Sequence, residues 1–454
     1  MAEVEEVDVV VVGMGPGGED VAGRLAEAGL KVVGVESRLV GGECPYFGCV
    51  PSKMMIRASD LLAEGRRIGD LAGSAEVAPD WSKVAGRIRD EATDDWDDKV
   101  AADRFTGKGG ILVRGYGSLT GEREVTVGDR VFRARRGVVL NPGTAPAVPP
   151  IEGLRNVPYW TNRDIVKATE IPDSLIVLGG GAIGLELAQV FRRFGAEVTV
   201  VEAADRLLAL EEPEAGELVR ETFEAEGIKV RTGVKVGFVG HESGGGPEGT
   251  ITVHAGDEVL RASRLLVAAG RFTDLEALGV ASAGLDPSAR TIPVDERMRA
   301  AEGLWAVGDV TGKGAFTHIS MYQAAIVVKD ILGQDGPPAD YRALPRVTFT
   351  DPEIGAVGLT ERQAREKGLK VRTGITRLGD STRGWIHQAE GFIKVVEADG
   401  VLVGATSAGP TGGEVLSALV VAVHAQVPVK TLESMIYAYP TFHRAISEAL
   451  RALD

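Results

Sequence analysis

Two cysteines stand in Gly41-Gly42-Glu43-Cys44-Pro45-Tyr46-Phe47-Gly48-Cys49-Val50-Pro51-Ser52-Lys53, and the chain has no others. A structural zinc site needs about four ligands, and neither further thiols nor a nearby histidine supplies them. Disulfides that only brace a fold belong to small secreted chains in oxidising compartments. Two isolated buried thiols seldom fall so close together, so a dithiol that cycles to a disulfide is the better reading. Attack on a disulfide needs a thiolate, and a helix start or Lys53 nearby would lower a thiol's pKa toward that end.

A second chemistry lies in two glycine motifs. Gly13-x-Gly15-x-x-Gly18 follows the β-branched run VDVVVV (7–12) and opens a helical stretch. Glu36 closes the next strand-like run, about 20 residues after Gly15. Gly179-x-Gly181-x-x-Gly184 repeats the pattern after LIVL (175–178), with Glu202 at the same spacing. Such glycines allow a tight turn and close backbone approach, and the helix start attracts a pyrophosphate. The acidic residue accepts hydrogen bonds from ribose hydroxyls. Glu202 would bind a free 2′-hydroxyl and repel a 2′-phosphate, so NAD(H) is expected over NADP(H). Arg206 is the counterweight, and its plainer reading is a solvated charge at a helix start. Glu19 and Asp20 open the first helix, and are expected to face away from the phosphates.

The elements that must position these groups follow from the same pattern. Each glycine motif sits inside a strand–helix–strand unit, so the chain is expected to be α/β, with two Rossmann-like dinucleotide-binding domains. The stretch PGTAPAVPP (142–150) reads as a linker between them, and Gly244-Gly245-Gly246 as a hairpin tip. From Pro345 onward the strands and helices mix without a phosphate loop, as in an α+β domain. The 454 residues carry a net charge of −15, with 44% apolar and 25% charged residues. That excludes bulk disorder and any general attraction to nucleic acid or anionic lipid. The longest apolar runs are too short for a membrane span, the acidic start is unlike a secretory signal, and a cytoplasmic location is expected.

With the cysteine motif in view, the whole chain resembles the FAD-dependent pyridine nucleotide–disulfide oxidoreductases, which include dihydrolipoamide dehydrogenase, glutathione reductase and mercuric reductase. GGECPYFGCVPSK looks like that family's redox motif. Trp305-Ala306-Val307-Gly308-Asp309 resembles its second FAD motif, in which Asp309 would bind the ribityl chain. Val267-Ala268-Ala269-Gly270-Arg271 is similar to the strand that returns to the FAD domain. TDPEIGAVG (350–358) is similar to the opening of its dimerisation domain. The resemblance implies an FAD-binding domain from 1–145 and 270–335, an NAD-binding domain from 146–269, and a dimerisation domain from 336–454. It also implies a homodimer. Cys44 would be the thiol that attacks substrate and Cys49 the thiol against the flavin. Lys53 and Glu186 match the family's ion pair near flavin and nicotinamide.

One segment departs from the family. Disulfide-exchanging members carry His-Pro-Thr near the C-terminus with a Glu five residues after the His, and here Tyr439 and Arg444 take those places. A phenol, with a reference pKa near 10, is a poor base at neutral pH. The C-terminal cysteine pair of mercuric reductases is missing, which weakens that reading. His443 is a candidate replacement base with a plainer reading as an interface or surface residue, and His318 is a weaker one. His387 and His424 read as structural or surface. The expected activity is electron transfer from NAD(P)H through FAD and the Cys44–Cys49 pair to a small-molecule or protein-borne disulfide. Alternatives are reduction of quinones or other non-disulfide acceptors, and redox sensing with a protein partner.

Overall fold

The structure is a computed structural model that describes residues 3–242 and 249–454. The valine run forms β1 (Val4–Val12), whose side chains from Val9 to Val12 are almost wholly removed from water. A strand buried on both faces needs neighbours on both edges, and β1 has them. It pairs in parallel with β2 (Val32–Glu36) and with strand Arg130–Leu140. The crossover between β1 and β2 is α1 (Pro16–Glu27), capped by Gly15 and opened by proline, whose fixed φ suits a first helical turn. In the eight-stranded sheet, Arg299–Ala301, Leu304–Ala306, Arg130–Leu140, β1, β2 and Ile111–Arg114 lie side by side in that order.

The described residues separate into two compact units. One holds the residues before 53 with 85–147 and 271–340, and the other holds 53–84, 148–270 and those from 341 onward. The first unit is built on the eight-stranded sheet. The second contains a parallel sheet in the order Lys229–Arg231, Glu197–Val201, Ser174–Leu178 and Arg264–Val267, in which helix Ala182–Arg193 makes the crossover. It also contains a five-stranded antiparallel sheet, from Pro345–Thr348 to Val401–Gly409. Helices Gly412–His424 and Ala445–Arg451 cover that sheet through Leu416, Leu419, Ile446 and Leu450.

Two expectations meet a more specific outcome. Within 142–150, Ala145–Pro146 is a short strand that pairs antiparallel with Arg271–Phe272, so part of this stretch is tied into a sheet. The Gly244–Gly246 tip lies outside the described residues; the strands on either side, Val236–Glu242 and Thr250–Ala255, pair antiparallel. No helix among the described residues is long and apolar enough to cross a membrane.

Candidate functional site

The first glycine motif turns out of β1 at Gly13, whose φ is +90°; a Cβ there would lie 2.1 Å from the Asn141 carbonyl oxygen. Only glycine fits that approach. The Asn141 amide donates back to the Gly13 carbonyl at 3.2 Å. Glu36, 8% exposed, accepts from the Met14 N–H and the Arg38 N–H, each at 2.8 Å. Burial raises its pKa above the ordinary carboxylate value, against the pull of those two donors. Ser320 Oγ is buried beside Gly17 without a hydrogen-bond partner. A backbone-lined cradle, a helix start and an anchored carboxylate together fit the pyrophosphate and ribose of a dinucleotide.

Asp309 follows strand Leu304–Ala306 and accepts from the Thr144 hydroxyl at 2.6 Å. Thr144 in turn accepts from Arg271 Nε at 2.6 Å, and Arg271 also donates to the Thr144 carbonyl at 2.7 Å. Glu43, beside Cys44, pairs with Arg271 at 3.5 Å. Glu19 pairs with Arg104 and Asp20 with Arg24. Arg271 therefore joins the redox segment to Thr144 and, through its hydroxyl, to Asp309. Thr144 carries no local motif that could have announced this.

The thiols lie at the meeting of two helices, α2 (Glu43–Tyr46) and α3 (Cys49–Arg66). Gly42 presses on the phosphate loop, since a Cβ there would come within 2.8 Å of Gly15 Cα. Neither cysteine is in a disulfide; Cys44 is half-buried and Cys49 exposed at the first turn of α3. The expected lowering of a thiol pKa does not hold for Cys44. Its thiol is pushed up, first by the hydrogen bond with Cys49 and then by burial, while the Thr317 hydroxyl pulls the other way. Thr317 Oγ1 is also 3.4 Å from Cys49 Sγ, and it opens helix Thr317–Ile331. Its neighbour His318, the candidate base, stacks its ring on Phe316. Thr317 lies far from the cysteines in sequence, and only the fold brings it to them.

In the second unit, Gly179 has φ +118°, and a Cβ there would lie 2.4 Å from the Ala268 carbonyl oxygen. Gly181 caps the following helix, which contains Gly184, and Gly270 takes φ +111° beyond strand Arg264–Val267. Glu202, half-buried, accepts from the Gly180 N–H at 2.5 Å and the Ala204 N–H at 2.6 Å. Arg206, left open by the sequence, donates to the carbonyls of Leu208, Ala209 and Glu211. Lys53 and Glu186 form an ion pair at 2.8 Å, in which Glu186 is buried and also accepts from the Phe349 N–H at 2.9 Å. The Lys53 ammonium lies 4.4 Å from the Phe349 ring centroid. Phe349 immediately precedes the TDPEIGAVG motif and went unremarked in the sequence.

Tyr439 is 66% exposed, with its hydroxyl 3.0 Å from Thr382 Oγ1 and the Arg444 guanidinium 5.4 Å from its ring centroid. His443, in the turn Phe442–Arg444, packs on the Tyr437 ring at 5.1 Å. His387 packs on Phe442, and burial, aided by Arg383, lowers its pKa.

Sequence comparison agrees with this geometry. The profile described as pyridine nucleotide-disulphide oxidoreductase matches residues 7–326, and that of its dimerisation domain matches 344–450. The chain belongs to the pyridine nucleotide-disulphide oxidoreductase family. It is an FAD-dependent oxidoreductase that couples a pyridine nucleotide to a disulfide redox centre, and it carries the family's dimerisation domain. A dihydrolipoyl dehydrogenase of Thermus scotoductus is 32% identical, over 98% of this chain and 97% of its own. A mercuric reductase of Staphylococcus aureus is 30% identical, over 99% of this chain and 83% of its own. The HOCl-induced flavoprotein disulfide reductase RclA of Escherichia coli superimposes with a TM-score of 0.83 at 25% identity, covering 98% of this chain and 99% of its own. Members of the family with different acceptors thus resemble this chain about equally.

Proposed function

We propose that this oxidoreductase is an NADH-dependent disulfide reductase, working as a cytoplasmic homodimer, with Cys44 and Cys49 as the exchanging thiols. The observation that carries it is the thiol pair itself, hydrogen-bonded together, touched by Thr317 and seated against the first phosphate loop through Gly42. Gly13, Gly15, Gly18, Glu36 and Asp309 would hold FAD, with Arg271 bracing Asp309 through Thr144. When bound, the flavin supplies two-electron transfer between nicotinamide and dithiol. Gly179, Gly181, Gly184 and Glu202 would hold the nucleotide; Gly270 closes the strand beside them. The Glu202 carboxylate and the engagement of Arg206 with backbone carbonyls both favour NADH. The FAD-binding domain would comprise 1–145 with 270–335, the nucleotide-binding domain 146–269 and the dimerisation domain 336–454.

The chain's own chemistry is thiol exchange. A Cys44 thiolate attacks one sulfur of the acceptor disulfide, and the other sulfur leaves and takes a proton; the Cys49 thiolate then attacks the Cys44 sulfur of the mixed disulfide, closing Cys44–Cys49 and expelling the acceptor's second sulfur, which also takes a proton. Because the hydrogen bond with Cys49 and burial raise the Cys44 pKa, a base must help it ionise or the exchange is slow. Lys53 and Glu186 form one charge-balanced pair, and removing Lys53 would leave the buried Glu186 carboxylate without its counter-charge.

A second reading, reduction of quinones or similar acceptors, is favoured by Tyr439. A phenol bonded to Thr382 under an arginine supports hydrogen bonding better than proton abstraction. Steady-state assays with NADH against glutathione disulfide, lipoamide and quinones separate the two. Cys44→Ser is expected to abolish disulfide turnover and to show long-wavelength charge-transfer absorption, which Cys49→Ser lacks. Quinone turnover that survives both variants, with no disulfide turnover in the wild type, selects the second reading. Tyr439→His with Arg444→Glu is expected to speed lipoamide turnover by up to about 10²-fold, a general base's contribution. Fast wild-type lipoamide turnover would point instead to His443 or His318.

A further inference from the structure

Three consecutive non-glycine residues, Asp94, Asp95 and Trp96, adopt left-handed backbone, with φ of 47°, 54° and 58°. For a bulky residue such as tryptophan this is a strained conformation, and such residues persist only where the surroundings over-determine them. The turn follows a π-helical stretch, Ile88–Ala92, another local irregularity that concentrates at functional places. It is knotted by Thr93, which is 1% exposed and whose hydroxyl donates to the carbonyl of Ile88 at 3.0 Å. The Trp96 N–H approaches the same hydroxyl at 3.3 Å.

What the turn holds is the redox segment. The Trp96 indole N–H donates to the Tyr46 carbonyl at 3.1 Å. Tyr46 is the last residue of α2, so its carbonyl is one that the helix itself cannot satisfy. It also lies between the two thiols. Two residues after Trp96, the buried Asp98 accepts from the Val40 N–H at 2.5 Å and is held by both terminal nitrogens of Arg114. One short segment therefore grips the redox motif on both sides of Cys44, at Val40 before it and at Tyr46 after it.

We propose that the turn 93–98 is a brace for the thiol pair and that Trp96 is its positioning residue, fixing the Phe47–Gly48 link between the helix of Cys44 and the helix of Cys49. The inference rests on the reading of Cys44 and Cys49 as the exchanging thiols. Closing the disulfide requires the two sulfurs to approach to bonding distance, about 2.05 Å. A link already held in one conformation loses less freedom on closure than a loose one. The brace therefore favours the disulfide, and removing its hydrogen bond shifts the pair toward the dithiol.

The test uses the flavin-loaded full-length protein equilibrated with reduced and oxidised glutathione. In that exchange the protein dithiol and one oxidised glutathione give the protein disulfide and two reduced glutathiones. Trp96→Phe keeps the ring and removes the N–H, and is expected to shift the equilibrium constant two- to tenfold toward the dithiol, as loss of one hydrogen bond implies. Asp95→Gly relaxes the left-handed backbone but keeps the indole, and is expected to stay within twofold of wild type. A Trp96→Phe protein that holds flavin and has the wild-type constant overturns the brace. If Trp96→Phe does not hold flavin, hydrogen exchange on the wild type decides. Amides at 94–98 should change protection on oxidation together with those at 44–49, and unchanged protection at 94–98 overturns the proposal. A wild type that forms no Cys44–Cys49 disulfide in any glutathione ratio removes the underlying reading of the cysteines instead.

Discussion

Gly13 and Gly179 do the same work in two places. Each turns a buried parallel strand into a helix with positive φ, and each lies so close to a carbonyl at the end of a third strand that a side chain has no room. Glu36 and Glu202 follow at the same spacing, and each carboxylate accepts from one N–H inside its glycine loop and one two residues further along its own chain. The difference lies in what surrounds these common parts. Around the first loop, Glu36 is buried, Gly42 of the redox segment packs on Gly15, and Ser320 closes against Gly17. Around the second, Glu202 is half-exposed, and Arg206 is spent on the carbonyls of the neighbouring loop. A ligand held permanently needs enclosure, and a substrate that must leave every cycle needs an open edge. The same backbone device serves either purpose, and the packing around it decides which.

Closing each cradle in turn separates the two loops. Gly13→Val is expected to yield colourless protein, with bound flavin falling from about one per chain to nearly none, because the new side chain collides with the Asn141 carbonyl. Gly179→Val is expected to stay yellow but to lose reduction by NADH by about 10²-fold or more, on the scale of removing a well-made binding contact. Absorbance at the flavin band and anaerobic bleaching by NADH read the two effects separately. If Gly179→Val also loses flavin, the loops are not independent and the contrast between them fails.

A smaller effect tests the open edge. Glu202→Ala removes a charged acceptor, worth about 1.5–3 kcal/mol, so kcat/KM for NADH is expected to fall about 10- to 100-fold. That for NADPH should hold or rise, because the carboxylate that repels a 2′-phosphate is gone. Equal losses with both nucleotides would mean that Glu202 only supports the loop through Gly180 and Ala204.

What could be read in advance divides along the same line. The glycine motifs, Glu36, Glu202 and the cysteine pair could be singled out as candidates because each is a local device, in which residue types at short spacing dictate a turn, a cap or a pair of neighbouring thiols. The three-part architecture followed from where those devices sat. Thr144, Thr317, Phe349 and Trp96 were not legible, because each meets its partner across a long stretch of chain, and a flagged neighbour in sequence does not reveal that contact. The expectation of a lowered thiol pKa failed at Cys44 for a related reason. It weighed the helix start and Lys53, which are visible in sequence, and not the hydrogen bond to Cys49 and the burial, which depend on packing. The partners of Arg206 were hidden in the same way, since the fold of the loop at 208–211 supplies it with carbonyls.

The smallest effect concerns pH at the buried carboxylate. Burial raises the Glu36 pKa above its reference of 4.5. A raised value means that the folded apoprotein holds this proton more tightly than the unfolded chain does. Its contribution to apoprotein stability is then complete below about 4.5 and is lost as pH rises through the folded value. Flavin binding asks for the opposite form, since only the carboxylate accepts from both ribose hydroxyls. Acidification should therefore loosen the flavin while the protein is still folded, starting at a pH above that of an ordinary glutamate. Flavin fluorescence in the ultrafiltrate, measured alongside circular dichroism across pH 4 to 7, follows the two processes. Glu36→Gln should bind flavin more weakly at neutral pH and show a flatter dependence across that range, whereas Glu202→Gln should release flavin as the wild type does. Flavin loss that coincides with unfolding in the wild type, or a Glu36→Gln profile as steep as the wild-type one, would show that the enclosure of the first loop does not set its ligand's response to acid.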